Sequence, residues 1–366
     1  MISPTVRDCV ERIVLADVGG TNVRFAVLTG DTLGPIDHMA VRDHAHFADA
    51  LSIFMARQID RSALCYAIIA AAGVVEIGRC ALTNNSWVVD AAELRARFGL
   101  AGICIINDFE AIAWALPHLT SNDLLTVGGR DPMSEAPMVA LGPGTGFGVA
   151  AYLPCKAGGF VLPTECGHMT MVSGSSREDA IIANLRQRLG QASTGDVLSG
   201  RGIENIYRAI ASIDSLTVPE RTAAEISKAA IEGTCATSYA ALDIFCAMLG
   251  AVAGDIALSF GAQGGVFITG GIVTRIYGYL LQSRFRSRFE AKGRMSRYIE
   301  KIPVYVILCA DPAFIACDRL RCAVHGIRRA IVLAGNLKCV FRRRMPKRAS
   351  RQPSLAGPLP RLTAAQ

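Results

Sequence analysis

Three glycine-rich turns set between apolar strands constrain this chain more than any other feature. They are Asp17-Val18-Gly19-Gly20-Thr21-Asn22, Gly142-Pro143-Gly144-Thr145-Gly146-Phe147-Gly148, and the glycine pairs Gly264-Gly265 and Gly270-Gly271 around Val266-Phe267-Ile268-Thr269. The first sits between Ile13-Val14-Leu15-Ala16 and Val23-Arg24-Phe25-Ala26-Val27-Leu28, a strand, glycine turn, strand pattern that reads as a hairpin. The second interrupts a strand that opens at Val139 and resumes at Val149. None has the G-x-x-x-x-G-K-[ST] spacing of a Walker loop or the G-x-G-x-x-G of a dinucleotide fold, and strands rather than helices follow the first two. Glycine turns offer free backbone N–H groups, and without a Cβ the chain can approach a phosphate closely. Thr21 and Thr145 add hydroxyls. Asp17, at a strand end, is placed to hold a hydrated Mg²⁺, an ion that prefers one or two carboxylates plus waters and phosphate oxygens. One such loop alone is ordinarily a tight turn. Three together, two with threonine and one with aspartate, point to a phosphate site.

The chain is long enough to give those turns a scaffold. At 366 residues it suits two domains of about 100–200 residues each. Its 51% hydrophobic and 19% charged residues, with 35 glycines, exclude a disordered, collagen-like or coiled-coil chain and fit an α/β protein. Apolar strands are expected at Tyr66–Val74, Ile103–Ile106 and Pro303–Leu308. Asp90, with Glu93 three residues on, marks a helix start, and Ser175-x-x-Glu178 and Thr222-x-x-Glu225 are capping boxes whose helices close near Gly190 and Gly233. Ala236–Phe260 carries little charge and reads as a buried helix. A strand-rich first third and a helix-rich middle suggest two lobes that part near Pro117–Leu119, and no repeat of fixed period appears.

Composition also narrows partners and compartment. The apolar stretch Ala63–Val75 breaks at Glu76, short of the roughly 20 residues of a spanning helix. Arg7 and Glu11 stand where a signal core would be apolar. The twelve cysteines include no C-x-x-C and mostly lie in apolar runs, as buried reduced thiols do. A cytoplasmic protein without a membrane partner is expected. The net charge of +7 is concentrated: from Ala316 onward twelve Lys/Arg face Asp318 alone, which leaves −4 for the rest. With Phe341-Arg342-Arg343-Arg344 and a Pro/Ser/Ala-rich end, residues 331–366 read as a basic, disordered tail, and no specific nucleic acid is expected from it.

Two further places carry chemistry. Asp108 follows a buried strand and Asn107, so it stands at a strand's C-terminal end, a usual ligand position in open sheets. There a carboxylate can take a proton from an alcohol attacking a γ-phosphate, and the competing reading is an N-cap for the helix from Phe109. Glu165-Cys166-Gly167-His168 sets an acid and an imidazole three residues apart around a glycine. No second Cys/His group lies at ligand spacing for zinc, and the pair suits vicinal hydroxyls of a polyol; a plain polar turn is the competing reading.

Taken in order, these strings resemble the bacterial ATP-dependent glucokinases, in the sugar-kinase branch of the actin-like ATPase (ribonuclease H-like) fold. The resemblance runs from about Ile13 to Phe314. Asp17–Ala26 looks like the family's first phosphate loop, Leu82-Thr83-Asn84 to Trp87 and Ile106-Asn107-Asp108-Phe109 like its sugar-site segments, and Leu141–Val149 like its second phosphate loop. Glu165–His168 looks like the E-x-G-H motif and Gly264–Gly271 like the adenosine segment. Val197-Leu198-Ser199-Gly200 and Phe289-Glu290-Ala291-Lys292-Gly293-Arg294-Met295 are further family-like strings without evident chemistry.

The resemblance implies an α/β, two-lobed fold with a central cleft. A small lobe over 1–118, completed by about 305–330, would face a large lobe over 119–304. Ala16, Asp17, Val18, Gly19, Gly20 and Thr21 would meet the ATP phosphates, with Asp17 reaching Mg²⁺ through water. Gly144, Thr145 and Gly146 would close over them, with Gly270 and Gly271 beside the adenosine. Glucose would be held by Asn84, Asn107, Asp108, Glu165 and His168, Asp108 acting as general base. A homodimer is implied. The rival readings are a catalytically weak sugar sensor on the same fold and a kinase for another hexose. Sixteen residues precede Asp17, too few for a helix-turn-helix, which weighs against a repressor.

Two departures from the family pattern stand out. Where another glutamate usually touches the sugar, two residues before Val-Leu-Ser-Gly, this chain has Gly195, with Asp196 beside it as a candidate substitute. Losing one charged hydrogen bond costs about 1.5–3 kcal/mol, enough to weaken glucose binding or change sugar preference. After Pro312-Ala313-Phe314-Ile315 a basic chain replaces the family's short small-residue end, so a helix that would return to the first lobe is expected to be altered.

Overall fold

Arg12–Val18 (β1) is buried on both faces, as a central strand must be, and turns at Gly19–Thr21 into Asn22–Thr29 (β2), with Gly19 N–H donating to Asn22 O at 3.0 Å. Thr32–Leu33 (β3) and Asp37–Ala40 (β4) extend the ladder on β2. After Phe47–Ala56 (α1), Leu64–Ala71 (β5) pairs parallel to β1. It stops at Ala71, earlier than the apolar run suggests, because Gly73 turns the chain where a Cβ would stand 2.6 Å from Ala81 O. Val75–Glu76 (β6), Arg79–Ala81 (β7) and Val88–Asp90 (β8) form a small meander. Asp90 caps Ala91–Phe98 (α2) through the N–H groups of Ala92 and Glu93, as its sequence position predicts. Gly102–Asn107 (β9) then pairs parallel to β5 and runs directly into Asp108–Ala115 (α3). The resulting sheet has the order β3-β2-β1-β5-β9, with β4 also on β2. This is a computed structural model, and it describes residues 12–58, 64–83, 85–156 and 159–315, all within one compact unit. The basic tail and Asn84 lie outside the described residues.

A 3₁₀ turn, Leu116–His118, leads to Leu124–Gly128 (β10) and the second sheet. Met138–Pro143 (β11), Phe147–Leu153 (β12) and Phe160–Thr164 (β13) are an antiparallel meander. Helices Ser176–Leu189 (α4), Thr194–Val197 (α5), Gly200–Ile213 (α6), Ala223–Ile231 (α7) and Ala236–Phe260 (α8) follow. Gly265–Ile268 (β14) adds parallel to β11. After Val273–Gln282 (α9), Phe285–Glu290 (α10) and Ser296–Ile299 (α11), Val304–Ile307 (β15) adds parallel to β14. The order is β10-β15-β14-β11-β12-β13.

The capping box at Thr222 forms in full, whereas at Ser175 only half of it does: the buried Glu178 turns its carboxylate to Gly174 N–H and Arg288 instead. α8 is apolar and long enough to cross a membrane by length and composition, yet 78% of its most apolar window is buried inside the protein. Its Gly250 leaves no room for a Cβ against Phe285 O, and at Gly254 a Cβ would stand 2.5 Å from Phe289 O. Lys292 donates to Ala251 O at 2.7 Å and pairs with Asp255 at 2.6 Å. The Phe289–Met295 string, chemically silent in the sequence, is therefore a clamp for α10 against α8.

α3 joins the two sheets. Ala111 and Ala115 pack beneath the first sheet with Ile13, Leu15, Ile106 and Phe314, and Ala113 packs on the second with Ala140, Ala150 and Phe267. Small residues on both faces let one helix fit between two sheets. From β15 the chain crosses back, and the turn Pro312–Phe314 seats Ala313 and Phe314 in the core beneath the first sheet.

Candidate active site

The centre of the site is the junction of β9 and α3. Asn107 is the N-cap: its Oδ1 accepts from Phe109 N–H at 2.9 Å and Glu110 N–H at 3.3 Å, and its Nδ2 donates to Gly73 O at 3.2 Å. Asp108 takes the first helical position, half-buried, and its Oδ1 shares the Phe109 N–H with Asn107, at 3.0 Å. Burial, with the carboxylates of Asp17 and Glu165 adding to it, pushes the Asp108 carboxyl up to about 7 against the pull of nearby backbone N–H groups. A carboxylate balanced near neutrality is suited to accept a proton from an alcohol. Next to it, the Phe109 ring occupies the space a side chain would need at position 148, so only glycine fits there on β12. That contact fixes the reach of Asp108 relative to the second sheet.

Asp17 lies at the end of β1, mostly buried, and faces Arg24 directly across the β1/β2 ladder with Arg24 Nη1 to Asp17 Oδ2 at 2.6 Å. Burial pushes the Asp17 carboxyl up while Arg24 pulls it down. The turn itself is held from outside: Asn85 Nδ2 donates to Gly20 O at 3.3 Å, and Val41 N–H donates to Thr21 O at 2.9 Å. Ala16 and Val18 are buried in the strand, while Gly19, Gly20 and Thr21 line the open turn. In this way the Leu82–Trp87 segment supports the first glycine turn through Asn85.

The second turn is built differently. Gly144 N–H donates to Gly146 O at 2.8 Å, and Gly144 O accepts from Gly200 N–H at 3.0 Å. The Val197–Gly200 string therefore braces this turn, and Ser199 also caps α6 through Gly202 N–H. Thr145 and Gly146 are exposed. Gly270, at φ 106°, would put a Cβ 2.5 Å from Pro143 O, so the second and third glycine segments interlock. Gly271 is open, at the start of α9.

Glu165 and His168 bracket the 3₁₀ turn Cys166–His168 after β13, with His168 N–H on Glu165 O at 2.9 Å and the side chains 3.9 Å apart (His168 Nε2 to Glu165 Oε2). His168 is exposed and Glu165 half-exposed, so both are open to a ligand. Gly195, on α5, stands beside this turn: a Cβ there would be 3.2 Å from Gly167 O. Asp196 does not replace the absent glutamate. Its carboxylate closes a capping box with Ser193, accepting from Ser193 N–H at 2.9 Å and Ser193 Oγ at 2.6 Å.

The donor set suits a hard divalent ion. Asp17 offers a carboxylate beside turn amides, and among the described residues no cluster of three or more His, Cys, Asp or Glu could enclose an ion unaided. An ion that takes one carboxylate, water and phosphate oxygens fits such a place. Sequence reasoning missed Arg24 and Asp311, although the seven-residue spacing of Asp17 and Arg24 across a tight hairpin makes them cross-strand partners. Nothing local marks Asp311.

A strand-end carboxylate beside two glycine hairpins, on two sheets of one topology, is the arrangement of a sugar kinase of the actin-like ATPase fold. Comparison with known proteins agrees. The profile of the Glucokinase family matches residues 14–320. The glucokinase of Paramagnetospirillum magneticum is 38% identical over 308 residues, 83% of this chain and 96% of the relative. That of Chromobacterium violaceum is 39% identical over 303 residues, covering 82% and 86%. The crystal structure of glucokinase from an Antarctic psychrotroph superposes with a TM-score of 0.73 at 32% identity, over 84% of this chain and 97% of that one. The chain belongs to the glucokinase family.

Proposed function

We propose that this chain transfers the γ-phosphoryl group of ATP to D-glucose, giving ADP and glucose 6-phosphate. The observation that carries this reading is Asp108, raised to about 7 between Asp17 of the first glycine hairpin and Glu165 of the sugar-side turn. Asp108 accepts the proton of the sugar hydroxyl as its oxygen forms a bond to the γ-phosphorus, and the bond from that phosphorus to the ADP oxygen breaks. Backbone amides of Gly19, Gly20 and Thr21 on one side, and of Gly144, Thr145 and Gly146 on the other, grip the phosphates; Gly270 and Gly271 border the adenosine. Asp17 would hold Mg²⁺ through water, and the ion would supply neutralisation of phosphate charge. Glu165 and His168 take the remaining hydroxyls, and Asn107 fixes the start of α3 and reaches the sugar with its free amide N–H. Asn84 belongs to the same sugar group by the family pattern.

The division into lobes over 1–118 and 119–304, with the crossover after 304 returning to the first, is part of this reading. Closure of the two over the sugar excludes water that would otherwise take the phosphoryl group. A homodimer working in the cytoplasm completes it. The test is a coupled assay of ADP formation over a panel of hexoses. Glucose-dependent ADP formation, with glucose the best substrate, is expected. Tight glucose binding with no turnover of any hexose would make the chain a sugar sensor. Faster turnover of another hexose would assign the preference to the space at Gly195.

A further inference from the structure

Arg24 has a second partner that the phosphate chemistry does not call for. Its Nη1 hydrogen-bonds to Asp17, while its Nε lies 2.8 Å from Asp311 Oδ1 as an ion pair without hydrogen-bond geometry, both atoms being buried and having no other partner among the described residues. Asp311 belongs to the crossover after β15, at the far end of the fold in sequence. Register explains the convergence. Asp17, Arg24 and His38 are direct neighbours across β1, β2 and β4, so their side chains share one face of the sheet. Asp311 lies over that row, with its Oδ2 3.6 Å from His38 Nε2. Asp17 and Asp311 are both mostly buried, at 15% and 14% side-chain exposure, and one guanidinium serves both. Right after Asp311, Ala313 and Phe314 enter the core beneath the first sheet, so its backbone is anchored.

We propose that Asp311 is a positioning residue for nucleotide binding, acting through Arg24 to fix the carboxylate of Asp17 at the first glycine hairpin. This rests on the reading of Asp17 as the residue facing the metal–phosphate group. A guanidinium hydrogen-bonded to Asp17 on one side and ion-paired with Asp311 on the other is held by charge from both sides, and this restricts the direction of the Asp17 carboxylate. Without Asp311 the Arg24 side chain regains rotamers and swings toward solvent, and Asp17 follows it. Lysine at position 24 keeps the charge but loses the fork, so it cannot bridge the pair. The crossover after the last strand of the second sheet thereby bears on the first glycine turn.

The test is equilibrium binding of MgADP and, separately, of glucose by titration calorimetry, with thermal unfolding alongside. For Asp311→Asn and for Arg24→Lys, MgADP affinity is expected to fall by about tenfold while glucose affinity stays within about twofold. Asp311→Glu is expected to recover part of the loss, and the double variant to be no worse than Arg24→Lys alone, because the two act in series. A lowered Tm with unchanged MgADP affinity, an equal loss of both ligands, or additive losses would overturn the proposal. These measurements need no turnover. An active site unable to phosphorylate glucose would refute the functional reading through the hexose assay, whereas intact nucleotide binding in Asp311→Asn refutes only the positioning role.

Discussion

The two large sheets are the same ladder built twice. Each begins with a three-stranded antiparallel meander and continues with two parallel strands: β3-β2-β1-β5-β9 in the first, β13-β12-β11-β14-β15 in the second. Their hairpin turns correspond, and so do the positions one pair back from each turn. In the first sheet that pair is Asp17 opposite Arg24; in the second it is Gly142 opposite Gly148. One hairpin carries charge where the other carries no side chain at all. The glycines are required because Thr269 O and the Phe109 ring occupy the space where side chains would stand. An aspartate follows the fifth strand in both halves as well, Asp108 after β9 and Asp311 after β15. At this pair the two like ladders thus differ, with an ion pair on one and close packing on the other.

If the charged half does the chemistry, Asp108→Ala should have the largest effect, lowering the rate of ADP formation by about 10²–10⁴-fold. A smaller loss in the coupled assay would move the base elsewhere. Acidification should come next. With the Asp108 carboxyl raised to about 7, kcat/KM should rise with pH through an inflection near that value and fall by roughly tenfold per unit well below it. The sign for stability is opposite. A carboxyl raised in the folded state costs nothing below its unfolded value, and the cost grows as pH rises from there toward 7. Asp108→Asn should therefore unfold at higher denaturant than wild type at pH 8, with the difference gone near pH 4.

The packed half is tested by Gly148→Ala, which should cost about 1–3 kcal/mol in chemical denaturation. Shortening Phe109 to leucine in the same chain should restore part of that loss; no recovery would mean the ring is not what excludes the Cβ. The smallest effect is expected at Gly195→Glu, which should lower the KM for glucose by about tenfold if a carboxylate is what the site lacks. The contact with Gly167 O at 3.2 Å is tight, so an unchanged KM with a lower Tm would show that the turn does not yield.

Much of the site was legible from short strings because the relevant physics is short-range. The first hairpin follows from apolar runs around a glycine turn, α2 from the Asp90 cap, and α8 from a long uncharged run. Asp108 was identifiable by its place after a buried strand, yet only the structure shows that Asn107 is the N-cap and that Asp108 shares only the Phe109 N–H with it. Asp196 shows the reverse case. A carboxylate in the right place in sequence is spent on Ser193. The Phe289–Met295 string gained a role only once α8 and α10 were seen side by side.

By itself, the sequence determined the local elements, the glycine turns and the family, since backbone propensity, capping and glycine conformation act within a few residues. Tertiary structure alone decided that the two sheets share one topology, that α3 joins them, and that Asp311 reaches Arg24. These depend on strand register and on contacts between residues far apart in the chain. Neither leaves a trace in local spacing, because any apolar strand can pair with several others until packing selects one.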